Sequence, residues 1–118
     1  MSLYSLLLWN SLNHLRGPPK AALHPSAAKA RPKIIGILHC ALATIWTGAF
    51  MSGNDASTVM INWPFYGDSW LFPANAWDRE PKWRNFIENK GMVQFVHRNL
   101  AHLTYLLTLN LWWKARAM

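Results

Sequence analysis

Two stretches of the chain are apolar over a membrane-sized length, and the remainder is polar or broken by proline. Residues 34–52, IIGILHCALATIWTGAFMS, carry no formal charge, and residues 92–113, MVQFVHRNLAHLTYLLTLNLWW, carry Arg98 as their one fixed charge. At about 1.5 Å of rise per residue the second stretch makes a helix of roughly 33 Å, enough for a hydrocarbon core of about 30 Å. The pattern predicts an all-α membrane protein with two transmembrane helices in an antiparallel hairpin. A basic N-terminal arm, residues 1–33, precedes it; a long aromatic loop, residues 53–91, joins the spans; a basic tail, residues 114–118, follows.

The polar positions inside these runs are the informative ones. His97, Arg98 and His102 are expensive in hydrocarbon unless they face a partner helix, a cofactor or the headgroup boundary. On the first span, Gly36, Ala41, Ala43, Gly48 and Ala49 are small enough to let another helix approach closely, and Thr44 and Thr47 can bond back to their own backbone. His39 is expected to be a neutral group bonded to a neighbour rather than a ligand. Cys40 is the only cysteine, so there is neither a disulfide framework nor a paired-thiol motif.

The loop is too long for a tight hairpin and too aromatic for a disordered linker. Trp63, Phe65, Tyr66, Trp70, Phe72, Trp77, Trp83 and Phe86 favour the headgroup zone, while Pro64, Pro73 and Pro81 limit any helix there to short pieces. Short turns lying on the membrane surface are expected.

Charge sets the expected topology. The formal net charge is +7 over 118 residues. Arg16, Lys20, Lys29, Arg31 and Lys33 precede the first span with no acidic residue among them, and Lys114 and Arg116 follow the second. The loop instead sets Arg79, Lys82, Arg84 and Lys90 against Asp55, Asp68, Asp78, Glu80 and Glu88. Basic flanks stay on the side of synthesis or the matrix, so both termini are expected there and the loop in the intermembrane space or periplasm. The basic residues do not interleave with aromatics as a nucleic-acid groove would require, and no nucleic-acid partner is expected. The arm has the basic, acid-free, leucine- and serine-containing composition of a mitochondrial targeting segment. Its leucines spread around the helical wheel, and an uncleaved arm docked on a membrane or partner is the preferred reading. Gly17, Pro18 and Pro19 should stop its helix.

The segments TGAFMSGNDASTVMINWPFYGDSWLFP and WRNFIENKGMVQFVHRNLAHLTYL resemble the haem A synthase family, the mitochondrial cytochrome oxidase assembly proteins and their bacterial relatives. The resemblance runs over residues 34–107 in family order: a Gly-Ala-Phe ending one span, a Gly-x-Asp-Ala turn at residues 53–56, a Trp-Pro and a Trp-x-x-Pro in the loop, an Asn-Phe-x-Glu-Asn, and a Gln-Phe-x-His-Arg. It implies membership of a fold of eight spans in two four-helix halves, each with a haem between facing histidines, and it covers the opening helix pair of the second half. By that resemblance His97 matches a haem-ligating histidine, the one candidate metal ligand, and Arg98 lies where a haem propionate could be neutralised.

At 1.5 Å per residue His97 and His39 differ in depth by more than about 10 Å, so they cannot share one iron. No cofactor is expected on the single chain; haem is expected only where a partner chain supplies the second axial ligand. The function expected first is an accessory subunit without catalysis of its own, derived from haem A synthase and docked among other membrane subunits and lipids of a respiratory complex in the mitochondrial inner membrane. The alternative is a fragment of a multi-chain haem A synthase, an enzyme that oxidises a methyl group of haem O to a formyl.

Overall fold

The computed structural model describes residues 2–17 and 25–116. Within them four α-helices follow in order: α1 (Ser2–Arg16), α2 (Pro25–Gly53), α3 (Asn85–Glu88) and α4 (Lys90–Arg116), with single 3₁₀ turns at Ala56–Thr58 and Lys82–Arg84. No strand occurs among the described residues, only an isolated bridge between Tyr66 and Ser69.

The first helix ends at its glycine. Gly17 takes φ 67° and donates its N–H to the Asn13 carbonyl at 3.1 Å, a left-handed cap that a residue without Cβ adopts freely. Pro18 and Pro19, the other expected stop signals, lie outside the described residues. Leu3, Leu7, Trp9 and Leu15 are all exposed, as their spread around the helix requires.

α2 begins well before the uncharged run, so the expected boundary at residue 33 is not a boundary of structure. Pro25 suits the first turn, where its missing N–H would have had no partner, and Ala27, Ala28 and Ala30 are strong helix formers. Pro32 sits inside the helix and removes the N–H that the Ala28 carbonyl would have accepted. Ala28 is exposed, so solvent can satisfy that carbonyl instead.

Among the described residues one helix, Ala27–Gly53, is long and apolar enough to cross a membrane. The sequence predicted two. α4 has the length, but Gln94, His97, Arg98, Asn99 and His102 fall within three turns of one another and dilute its apolar character.

α2 and α4 nevertheless run against each other in opposite directions: Thr47 meets His97, and the Thr44 and Thr104 hydroxyls lie 3.2 Å apart, while just beyond the end of α2 Asn54 donates to the Ile87 carbonyl of α3 at 2.6 Å. The half-buried positions of α2 are Ala30, Ile37, Cys40, Ala41, Ala43, Thr44, Thr47, Gly48 and Met51, and from Ile37 onward they recur three and four apart along one side of the helix. Small side chains along that side let the two backbones approach.

The best-buried part of the molecule lies at the loop end, where residues 54–89 fold over the first turns of α4. Asn85 is fully buried; its Oδ1 accepts the Arg79 N–H at 2.9 Å and its Nδ2 donates to the carbonyls of Arg79 and Lys82. Asn89 caps α4: its Oδ1 accepts the Met92 N–H at 3.0 Å, three residues into the helix, while its Nδ2 donates to the Asn75 carbonyl. Gly91 completes the junction, since a Cβ there would lie 2.7 Å from Asn75 Oδ1. The Asn-Phe-x-Glu-Asn motif thus supplies the polar side chains that tie the loop to the helix start.

Candidate functional site

His97 sits on the seam between α2 and α4. Its Nδ1 lies 3.0 Å from Thr47 Oγ1 and 3.1 Å from the Thr44 carbonyl. A carbonyl oxygen can only accept, so Nδ1 carries a proton, which in the neutral ring leaves Nε2 its lone pair. Thr47 is positioned to accept as well, because its own hydroxyl proton points back to the carbonyls of Ala43 and Thr44. Gly48 makes room for the ring: a Cβ there would stand 3.1 Å from His97 Cε1. A histidine that donates through one nitrogen to a backbone carbonyl, with the other nitrogen free, is arranged as metal-ligating imidazoles are.

Arg98 projects from a different face, together with Gln94 and His102, and residues 59–66 lie across all three as a strap. Gln94 Nε2 donates to the Val59 carbonyl at 2.8 Å. Arg98 Nη1 donates to the Phe65 carbonyl at 3.0 Å and Nη2 to the Met60 carbonyl at 2.6 Å, with the guanidinium 5.1 Å from the centre of the Tyr66 ring. The Trp63 ring reaches His102 at 6.2 Å between centroids. Tyr66, at the end of the strap, and Phe72, beyond it, pack tilted and edge-on respectively against Phe95. The side chain singled out for a propionate therefore holds the chain's own carbonyls.

The other charged groups do not form a reactive set. His39 Nδ1 bonds the Ile35 carbonyl on its own helix at 2.7 Å and takes no part in the seam. Arg84 grips Glu88 through two hydrogen bonds of 2.9 and 2.8 Å, which hold the Glu88 carboxyl below its usual range and raise the guanidinium. A cleft of about 410 Å³ opens beside the start of α4, but its charged walls, Asp78, Arg79, Glu88 and Lys90, are balanced in sign. Among the described residues no three His, Cys, Asp or Glu side chains converge as a metal site.

With this geometry in place, the comparison with known proteins is direct: the family described as "Cytochrome oxidase assembly protein" matches residues 1–118. The chain belongs to the haem A synthase family. A heme A synthase of Rhodospirillum centenum is 40% identical over 113 residues, covering 96% of this chain and 29% of that protein. One of Paracoccus denitrificans is 37% identical over 75% of this chain and 23% of its own length, and one of Arabidopsis thaliana is 33% identical over 99% of this chain and 26% of its own. The chain therefore spans less than a third of the length of these relatives. No solved structure matches it. All three relatives carry the name of the synthase, so the expectation of an accessory subunit without catalysis gains no support from them, and the alternative, part of a haem A synthase, is the reading they favour.

Within haem A synthase terms, the sequence pointed to His97 but missed Thr44, Thr47 and Gly48 as its setting. The signal was present: pairing Ser52 with Met92 across the loop and stepping equally along both helices brings Thr47 opposite His97.

Proposed function

We propose that this chain forms one helix pair of a haem A synthase acting in haem A biosynthesis, with α2 and α4 crossing the mitochondrial inner membrane as a hairpin. The basic flanks of both helices would face the matrix and the aromatic loop the intermembrane space. His97 would hold haem through Nε2, together with a ligand from another helix of the assembled enzyme. The observation that carries this reading is the Nδ1–H of His97 held on the Thr44 carbonyl and Thr47 hydroxyl, with space over Gly48 for the ring.

Haem bound there would supply electron transfer at its iron. The contribution of this chain is to fix the imidazole tautomer, orient the ring and exclude water from the seam. Arg98 has five N–H donors, and its two carbonyl contacts leave others for a propionate at the strap.

A chimera tests the reading. The matching 113-residue segment of the Rhodospirillum centenum synthase is replaced by this chain's residues in a strain lacking the enzyme. Haem A should return to the membranes. His97→Ala in the chimera should remove the low-spin haem signal of this half with the protein still present in the membrane. A stable chimera with no haem A, or an unchanged signal after His97→Ala, would sink the proposal.

A further inference from the structure

At the end of the seam remote from the loop, α2 and α4 leave a groove of about 290 Å³ lined by Lys33, Gly36, Ile37, Leu107, Asn110 and Leu111. Ile37, Leu107 and Leu111 make its walls aliphatic, and Gly36 keeps it open, since nothing lies within 4 Å of the place a Cβ would take. Lys33 and Asn110 are its polar residues. Lys33 immediately precedes the uncharged run of residues 34–52, which puts the mouth of the groove at the level where hydrocarbon gives way to headgroups.

The charge around this mouth is one-sided. All five acidic residues of the chain fall within residues 55–88, whereas Lys29, Arg31 and Lys33 lie in the early turns of α2 and Lys114 and Arg116 close the last turn of α4. The Arg116 guanidinium stacks 4.8 Å above the Trp112 ring, a pairing suited to the headgroup layer. A basic mouth over an apolar slot between two helices matches the headgroup and one acyl chain of an anionic phospholipid. A zwitterionic lipid would fill the slot without meeting the charge.

We infer that this groove holds one anionic glycerophospholipid, with an acyl chain along Gly36, Ile37, Leu107 and Leu111 and the phosphate held by the Lys33 ammonium and the Asn110 amide. The inference is independent of haem and of His97.

Native mass spectrometry of the full chain, released from nanodiscs of phosphatidylcholine containing one-fifth phosphatidylglycerol, counts the lipids that stay bound. Phosphatidylglycerol should be retained well above its share. Lys33→Gln should lower that retention roughly fivefold, the effect of one lysine at an anionic surface. Lys90→Gln removes the same charge at the loop end of α4, away from the basic mouth, and should leave retention unchanged. Gly36→Leu fills the slot and should expel the lipid; should circular dichroism show lost helix in that variant, Leu111→Trp fills it from the other wall and decides. Equal retention of the two lipids, equal effects of Lys33→Gln and Lys90→Gln, retention that survives the filled slot, or a dimer that Gly36→Leu dissolves would each overturn the inference.

Discussion

One absent methyl group sets the position of His97. With a hydrogen at Gly48 in place of a side chain, the imidazole lies close enough to α2 for its Nδ1–H to reach the Thr44 carbonyl. An alanine there would press on Cε1 at 3.1 Å, and a branched side chain would occupy the ring's place. Gly48→Val should therefore push the ring out, break the Nδ1 hydrogen bond and destabilise the chain in detergent by about 1–3 kcal/mol. Nitrogen NMR of His97 reads the tautomer directly, and a Gly48→Val protein with the Nδ1–H form and the stability of the parent would refute the argument. That His97 stands on a helix was legible in the sequence from the apolar run around it. Its tautomer was not, because the deciding acceptor is a main-chain carbonyl on another helix.

At the scale of elements, the helices were legible and their ends were not. The two apolar runs, residues 34–52 and 92–113, announced α2 and α4, yet α2 starts among basic residues and alanines that read as an arm, and α4 continues through Lys114 to Arg116. The start of α4 is fixed by Asn89, whose side chain meets the Met92 N–H and, through Nδ2, the loop at Asn75. No hydrophobic period carries that information. Asn89→Ala should lose the cap and untie the loop together, costing about 1–2 kcal/mol for the cap alone. Hydrogen exchange at the Met92 amide should accelerate with the loss of its acceptor. Unchanged exchange at Met92 would show that the cap does not hold this end of the helix.

For the molecule as a whole, the proposed hairpin requires a helix as polar as α4 to accompany α2 into a membrane. Its Gln94, Arg98 and His102 form a stripe that hydrocarbon would penalise, and the strap of residues 59–66 covers that stripe with the Val59, Met60 and Phe65 carbonyls and the Trp63 ring. Irregular backbone at membrane depth is tolerated where it is buried against protein and its polar groups are paired, which is the service Arg98 and the strap do for each other. Two accounts then predict opposite effects of Arg98→Leu. If hydropathy alone governed α4, removing the one fixed charge from residues 92–113 should stabilise the protein in bilayers. If the strap is what makes α4 tolerable, the same change leaves the Met60 and Phe65 carbonyls without their donor and should destabilise by about 1.5–3 kcal/mol, the range for hydrogen bonds to a charged group. Limited proteolysis should then cut within residues 59–66, and Trp63 emission should shift as its ring leaves His102. An Arg98→Leu protein that is more stable and no more susceptible to protease would show that the strap is dispensable and that α4 enters the membrane on its apolar content alone.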